Sequence, residues 1–313
     1  MEKRTALVTG GSGYLGSHLC KALKKQGWYI ILLDVKQPKH SYHDTLVLAD
    51  IRTCSDVILK IQKIDTVFHL AGRIEAGLSF EESTEFYEVN TGGTLRLLNK
   101  MKKYGIKKIV YSSTAGVYKA KDTRLKETDE IARNSPYATS KYCSEQAIID
   151  SGLDWIILRY FNLAGADPTG EMGEDHDPET HLIPRILQNL NNFTVYGNDY
   201  NTPDGTCVRD FVHVSDVADA HLAAAEYLAR NGSSQVINLG TGKGYSVKEI
   251  IALVKEVTGQ RVIFSYEPRR AGDPPYLFAN INFASDLLQY RPKHDIISII
   301  RTAYNWETRD RDE

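Results

Sequence analysis

At 313 residues, with 42% apolar residues, 25% charged residues and a net charge of −2, the chain has the composition of a soluble globular protein of one large domain or two unequal ones. So even a charge balance gives no basic field, which argues against nucleic acid or an anionic membrane surface as a partner. The apolar start of MEKRTALVTGG meets Gly10 and Gly11 too early for a signal-peptide core, and the longest apolar runs are strand-sized, so no membrane span is expected.

Strand-sized runs alternate with helix-length periodic segments through the first half. ALVT at 6–9, YIILLD at 29–34, TVFHLA at 66–71, KIVYSS at 108–113 and WIILRYF at 155–161 read as buried strands, with little polar alternation. Helices are predicted between them near 14–26, 54–62, 81–103 and 136–151. This order implies a parallel sheet with helices on both faces and ligands at the carboxyl ends of its strands. After Phe161 the texture changes to an acidic loop at 163–181 and a second loop at 197–210. A helix near 214–230 followed by VINLG at 236–240 is expected to return to the sheet. From Tyr245 onward, helices at 246–257, 283–289 and 296–308 are expected to form a smaller cap. The predicted fold is α/β. A doubly wound parallel sheet over 1–162 and about 208–242 carries a smaller C-terminal α/β substrate domain over about 163–207 and 243–313.

The first chemical signal is TALVTGGSGYLGSHL, which sets Gly10, Gly13 and Gly16 between the first strand and the first helix. Glycine lets the backbone turn sharply and approach a pyrophosphate, and a helix start offers free N–H groups to the anion. Asp34 ends the second strand about 20 residues on, the position from which a carboxylate binds a ribose hydroxyl and repels a 2′-phosphate. The expected cofactor is therefore NAD, held at this Rossmann-type loop together with the intervening Tyr14 and Leu15. Asp50 and Ile51 after LVLA, and Leu70, Ala71 and Gly72 of HLAG, lie at further strand ends along the cofactor's path. Asn90 follows on the long helix, Ser112 closes the strand that should end near the nicotinamide, and Tyr160 closes the next one.

NSPYATSKY places Tyr137 four residues before Lys141. A second Tyr-x-x-x-Lys, Tyr104 and Lys108 in KKYGIKKIV, is split by the helix stop at Gly105. Around Tyr137, Ser135 is an N-cap and Pro136 suits the first helical position, so phenol and ammonium share a helix face. With Thr114 at the end of KIVYSST they form a hydroxyl, phenol and ammonium set. A nearby ammonium and a positive nicotinamide would both favour phenolate and lower the phenol's pKa from about 10.

TGGSGYLG, HLAG, YSST, SPYATSK, RYFN and VRDFVHVSDVA together resemble the extended short-chain dehydrogenase/reductases, and most closely their UDP-galactose 4-epimerases. The resemblance implies Tyr137 as general base and acid, assisted by Thr114 and Lys141. It implies hydride transfer between a sugar C4 and NAD, and a 4-keto sugar that turns over in the site. It also carries a UDP site over to Phe161 and Asn162 of RYFN, His181 and Leu182 of THLIP, Val195 and Tyr196 of VYG, Arg209 of VRD, and Arg270 and Asp273 of PRRAGD. His181 replaces a common Asn beside the diphosphate, and Leu277 occupies a gate where some relatives have Tyr, which would admit N-acetyl sugars. The family also implies a homodimer through the helices near 81–103 and 136–151.

Two other chemistries in that superfamily are weighed by residues. A 4,6-dehydratase carries an acidic pair after the catalytic Thr, where this chain has Ala115 and Gly116. A non-catalytic NAD-sensing regulator has no reason to keep Tyr137, Lys141, Arg209 and Arg270 together. Epimerisation of UDP-glucuronate or a UDP-pentose stays open. EDHDPETH at 174–181 matches no tetrahedral zinc or calcium-loop spacing and reads as a solvated loop over the substrate, so no metal is expected. Cys20, Cys54, Cys143 and Cys207 form no Cys-x-x-Cys and read as buried thiols, which places the chain in the cytosol.

Overall fold

The computed structural model describes residues 3–53, 56, 63–270 and 272–309; the helix expected at 54–62 lies almost wholly outside them. Strand β1 (Thr5–Thr9) is buried along its length and leads through a glycine turn into helix α1 (Tyr14–Lys25). Then come β2 (Tyr29–Asp34), β3 (Thr45–Leu48) and β4 (Thr66–His69). Helix α2 (Ser83–Phe86) and helix α3 (Gly93–Lys103) flank a π-helical turn at Tyr87–Gly92. The uniform helix expected at 81–103 is thus wound differently in its middle, a local change that re-aims side chains and recurs at functional sites.

Strand β5 (Lys108–Thr114), helix α4 (Pro136–Ile149) and strand β6 (Asp154–Tyr160) complete the first half. The short β7 (Asn162–Ala164) and helix α5 (Leu182–Gln188) follow. This helix is missing from the sequence reading because THLIP, with its proline, looks like loop; Pro184 sits in the first turn, where its absent N–H leaves no bond unmade. Strands β8 (Phe193–Tyr196), β9 (Val208–Arg209) and β10 (Phe211–His213) precede α6 (Val214–Ala229) and β11 (Gln235–Leu239). The remainder is β12 (Tyr245–Ser246), α7 (Val247–Thr258), β13 (Phe264–Glu267), β14 (Tyr276–Leu277), α8 (Asn282–Leu288) and α9 (Ile296–Glu307).

The seven-stranded sheet runs β11-β6-β5-β4-β1-β2-β3, and every pairing in it is parallel. Its order reverses between β1 and β4, so the glycine turn opens at the switch point where a crevice is left between diverging crossovers. One face packs Leu19 and Leu23 of α1 with Val217 and Ala224 of α6; the other packs Leu97 and Met101 of α3 with Ile148 of α4. With both faces covered, the strands need no polar alternation.

A separate core joins Ile183 and Ile186 of α5, Phe193 and Val195 of β8, Ile250 and Val254 of α7, and Ile299 and Ile300 of α9. One segment departs from expectation. Ala284 and Leu288 of α8, with Tyr290, pack in the first core beside α6, so the chain after Tyr245 is not all cap. The sequence shows α8 as amphipathic but not which core its apolar face meets.

Candidate functional site

The glycine turn is built by close approach. Gly10 has φ +74°, and a Cβ there would lie 2.7 Å from the Ala71 nitrogen; one at Gly16 would lie 2.1 Å from the Gly10 oxygen. At Gly13, in contrast, the nearest atom to such a Cβ is the Gly10 oxygen at 3.4 Å, so the turn is open on its outer side. Helix α1 starts at Gly13 with no side-chain cap and no acid in its first turn. Its free N–H groups and positive dipole end face that opening, which suits a diphosphate. Asp34 accepts from the Ser12 N–H (2.9 Å) and the Lys36 N–H (3.0 Å), which places a carboxylate beside the turn where a ribose would lie. The residues present fit a dinucleotide.

The other predicted cofactor residues are gathered along the same strand ends. Tyr14 donates its hydroxyl proton to the Gly165 carbonyl, and Leu15 is buried in the first turn of α1. Leu70 and Ala71 donate their N–H groups to the Thr9 carbonyl and hydroxyl oxygens, at 3.0 and 3.3 Å. Gly72 is confined: a Cβ would meet the Asn90 Oδ1 at 2.8 Å and the Lys141 Nζ at 3.9 Å. Asn90, buried in the π turn, accepts from the Arg73 N–H at 2.8 Å and donates to the Ser140 Oγ at 2.9 Å, fastening α4 to the loop after β4. Ile51 is buried against Gly93.

Asp50 is already engaged by a neighbour. Its carboxylate is held by Arg52 through three contacts of 2.8 to 3.1 Å, and this guanidinium holds it below the usual carboxylate range. Arg52 also reaches Glu85 at 3.1 Å, so an adenine edge would have to compete with a formed ion pair.

The chemical set lies at the end of β5. Ser135 accepts from the Ala138 N–H at 3.1 Å and Pro136 follows it, as the sequence predicts for the start of α4. The Thr114 hydroxyl accepts the Gly116 N–H at 3.0 Å and lies near enough to the Tyr137 phenol to lower its pKa, and Thr114 stands opposite Tyr160 in the parallel register of β5 and β6. Lys141 is buried, with Nζ 4.6 Å from the centre of the Tyr111 ring. Ser112 pairs with the His221 Nε2 at 2.8 Å.

The electrostatics differ from the sequence reading. Burial pushes the Tyr137 phenol up to about 12, with the Thr114 hydrogen bond pulling it down and Glu75 pushing it further up. Phenolate loses its water here, so the protein's own groups hold the phenol up, and the expected lowering rests on the positive nicotinamide. Burial also brings Lys141 down to about 8, against the pull of Glu145, so it stays mostly charged near neutral pH. Burial raises Tyr160 as well.

The buried polar scaffold beneath the set escapes sequence reading. Glu145, one turn beyond Lys141, holds Arg159 through two bonds and accepts the Ser113 hydroxyl. His69 bridges Thr9 at 2.7 Å and Thr94 at 2.9 Å. Only the period of α4, with Lys141 and Glu145 four apart, hinted at the first of these.

The predicted nucleotide-sugar residues cluster in a second group. Arg270 lies 4.1 Å over the Tyr196 ring, and Arg209 reaches Asp273 at 3.4 Å. Leu277 is registered with Arg209 where β14 joins β9, and it packs against the cluster holding Phe161 and Ala115, which connects this group to the end of β5. Asn162 donates its N–H to the Asp210 carbonyl at 2.9 Å. Leu182 leans on the second core, and Val195 is buried in it, so the Val195 side chain packs rather than facing this group. Arg185, unremarked in the sequence, lies 5.7 Å from the Tyr196 ring on the newly found α5.

His181 precedes α5 and pairs through Nδ1 with Glu174, while Glu75 acts on both His181 and Tyr137. Burial works against a charge on His181, but Glu174 and Glu179 outweigh it and raise its pKa. The loop 174–181 is exposed at Asp175, Asp177, Pro178 and Thr180, as expected, but Glu174 turns inward to 4% exposure, and the Trp306 indole N–H fixes its carbonyl at 2.7 Å. No helix among the described residues is long and apolar enough to cross a membrane.

Fold and site define a dinucleotide-binding α/β protein with a phenol, an ammonium and a hydroxyl gathered at its strand ends. The chain belongs to the NAD dependent epimerase/dehydratase family, whose model matches residues 6–240. It is 42% identical over 315 residues to a UDP-glucose 4-epimerase of Halalkalibacterium halodurans, across 96% of this chain and 94% of that one. Among solved structures, the UDP-glucose 4-epimerase of Stenotrophomonas maltophila with bound NAD and formylated UDP-arabinopyranose superposes with a TM-score of 0.92 at 35% identity, covering 97% of this chain and 98% of that one. The UDP-glucose 4-epimerase of Brucella ovis in complex with NAD gives 0.89 at 36% identity, covering 96% and 97%.

Proposed function

We propose that the chain is an NAD-dependent 4-epimerase that interconverts UDP-glucose and UDP-galactose through a transient 4-keto sugar. The observation that carries this reading is Tyr137, beside Thr114 and one helical turn ahead of the buried Lys141, at the strand ends beside an open glycine turn. NAD, when bound, supplies the hydride acceptor and donor for the sugar C4 and a positive ring near the phenol. Gly10, Gly13, Gly16 and Asp34 would hold it.

The chain's own residues then do three things. Tyr137 takes the proton from the sugar 4-hydroxyl and returns it after the keto group has presented its other face. Thr114, whose hydroxyl lies beside the same phenol, orients the 4-oxygen. Lys141 stabilises the phenolate; because burial lowers the acidity of Tyr137, the base gains from a further positive charge close by, which ties it to a loaded site. Arg209 and Arg270 would fork onto the diphosphate, with Tyr196 against the uracil and Asp273 on the ribose. Fixing the nucleotide end leaves the sugar end free to rotate, which an epimerase needs and a dehydrogenase does not.

We also read the second core, with the loops of 163–207, as the sugar-nucleotide lobe, and Leu277 as a gate small enough for N-acetyl groups. Exposed Leu95 and Ile149, on α3 and α4, support a homodimer through these helices, and free buried Cys20 and Cys207 support a cytosolic setting. The experiment is a panel of UDP-sugars, with and without N-acetyl and carboxylate groups, scored for the C4 epimer by the NAD-loaded protein. Conversion of UDP-galactose is expected; retained NAD with no conversion of any sugar would favour a regulator that keeps the fold without the chemistry.

A further inference from the structure

The loop between β7 and α5 holds a group of side chains of which only His181 has a part in the nucleotide-sugar reading. Glu174, His176, Glu179 and His181 each present one ligand-type atom, and these atoms all lie within 4.8 Å of one another. Both carboxylate side chains are inside, 4% exposed for Glu174 and 6% for Glu179. The imidazoles aim the same nitrogen at them: the His176 Nδ1 is 3.0 Å from the Glu174 Oε1 and 4.0 Å from the Glu179 Oε2, and the His181 Nδ1 meets the Glu174 Oε1.

An independent observation points to a missing ligand. The Glu179 Oε1 accepts the N–H groups of Thr180 (2.7 Å) and His181 (2.8 Å), but its buried Oε2, turned into the cluster, has no hydrogen-bond partner. A carboxylate oxygen removed from water without a donor is unfavourable unless a cation meets it. Among the described residues, no lysine or arginine forms an ion pair with Glu174 or Glu179. The backbone that carries the cluster is already held in place. The Trp306 N–H fixes the Glu174 carbonyl, the Tyr14 ring stands edge-on to His176 with centroids 6.3 Å apart, and a Cβ at Gly173 would run into the Trp306 ring at 2.3 Å.

We propose that Glu174, His176, Glu179 and His181 form a mononuclear site for a divalent transition-metal ion, and that zinc fills it. Two imidazole nitrogens and two carboxylates suit zinc and disfavour calcium or magnesium, which take oxygen ligands. One dication balances the two carboxylates with both imidazoles neutral. Zinc bonds of about 2.0–2.2 Å set tetrahedral ligand atoms roughly 3.4 Å apart, so the cluster closes on the ion by side-chain shifts of about 1 Å. Four protein ligands leave no open position, which makes the ion structural: it pins 174–181 and with it the start of α5, beside the proposed nucleotide-sugar residues. The E-x-H-x-x-E-x-H spacing is irregular for a helix or hairpin ligand set, and for that reason the sequence shows no metal motif.

The test uses the untagged full chain with its NAD. After treatment with a chelator and desalting, titration with zinc followed by calorimetry and elemental analysis is expected to give one equivalent per chain, and cobalt in its place a four-coordinate visible spectrum. His176→Ala and Glu179→Gln, each checked for NAD content and an unchanged metal-free circular dichroism spectrum, are expected to weaken zinc binding beyond the ~10–100-fold typical of an outer-shell partner. Less than stoichiometric zinc in the wild type, or wild-type affinity in either variant, overturns the four-ligand assignment. A wild type that epimerises but binds no zinc refutes the site while leaving the proposed activity intact.

Discussion

Residues 10–16 and 135–141 carry most of the proposed dinucleotide half of the site in two contiguous stretches, whereas the proposed sugar half draws Tyr196, Arg209, Arg270 and Asp273 from separate short segments. In the first half each stretch makes its own geometry. The positive φ of Gly10 turns the chain, Gly16 lets the helix approach, and Ser135 with Pro136 phases Tyr137 onto the face of Lys141. In the second half no stretch does so alone. Strands of two to four residues, β8, β9, β13 and β14, place their side chains only by pairing with each other. Local conformation therefore specifies the proposed reacting end, and long-range pairing specifies the proposed recognising end.

The comparison can be broken most sharply at Tyr137. Tyr137→Phe should cut turnover by ~10²–10⁴-fold while bound NAD, read from the absorbance of the denatured supernatant, stays stoichiometric. If the variant turns over at the wild-type rate, the base lies elsewhere and the local half loses its meaning.

Next in size is the scaffold under Lys141. Glu145→Gln leaves Arg159, 4% exposed, without its carboxylate, and breaking a buried pair from one side costs about 3–5 kcal/mol. Urea unfolding should show that loss, and adding Arg159→Met should recover part of it.

The recognising half should respond differently. Arg209→Ala removes one charge-assisted contact of about 1.5–3 kcal/mol, expected as a roughly 10–100-fold rise in KM for the UDP-sugar with kcat changed far less. A kcat loss equal to the KM rise would mean that Arg209 acts on the reacting end, and the division into two halves would fail.

The smallest effect concerns pH. His69 is held down to about 3 by burial, against about 6.5 unfolded, with the Lys141 charge adding to the shift. Between these values the unfolded chain binds the extra proton, so stability is full above 6.5 and falls with pH, by about 1.4 kcal/mol per pH unit for this one group. Denaturation series at pH 7 and pH 5 should show a shallower acid loss for His69→Gln than for the wild type.

Much of the first half is legible from residue order. The strands at 29–34 and 108–114, the helix start at Ser135 and the rejection of Tyr104 all rest on local conformational rules. Three features are not. The π turn holding Asn90 depends on its bonds to Arg73 and Ser140, residues 17 and 50 positions away. Helix α5 is hidden by Pro184 and is held by packing of Ile183 and Ile186 on α7 and α9. The raised pKa of Tyr137 comes from burial, which a Tyr-x-x-x-Lys spacing does not report.

By itself the sequence determined the parallel α/β order, the glycine turn with its carboxylate, and the helical phase that pairs Tyr137 with Lys141, because each follows from steric rules acting over a few residues. Tertiary structure alone decided which core α8 joins, that Arg52 occupies Asp50, that Arg209 meets Asp273, and that Glu174, His176, Glu179 and His181 converge. These depend on which surfaces are removed from water together, and such burial is a property of the assembled chain.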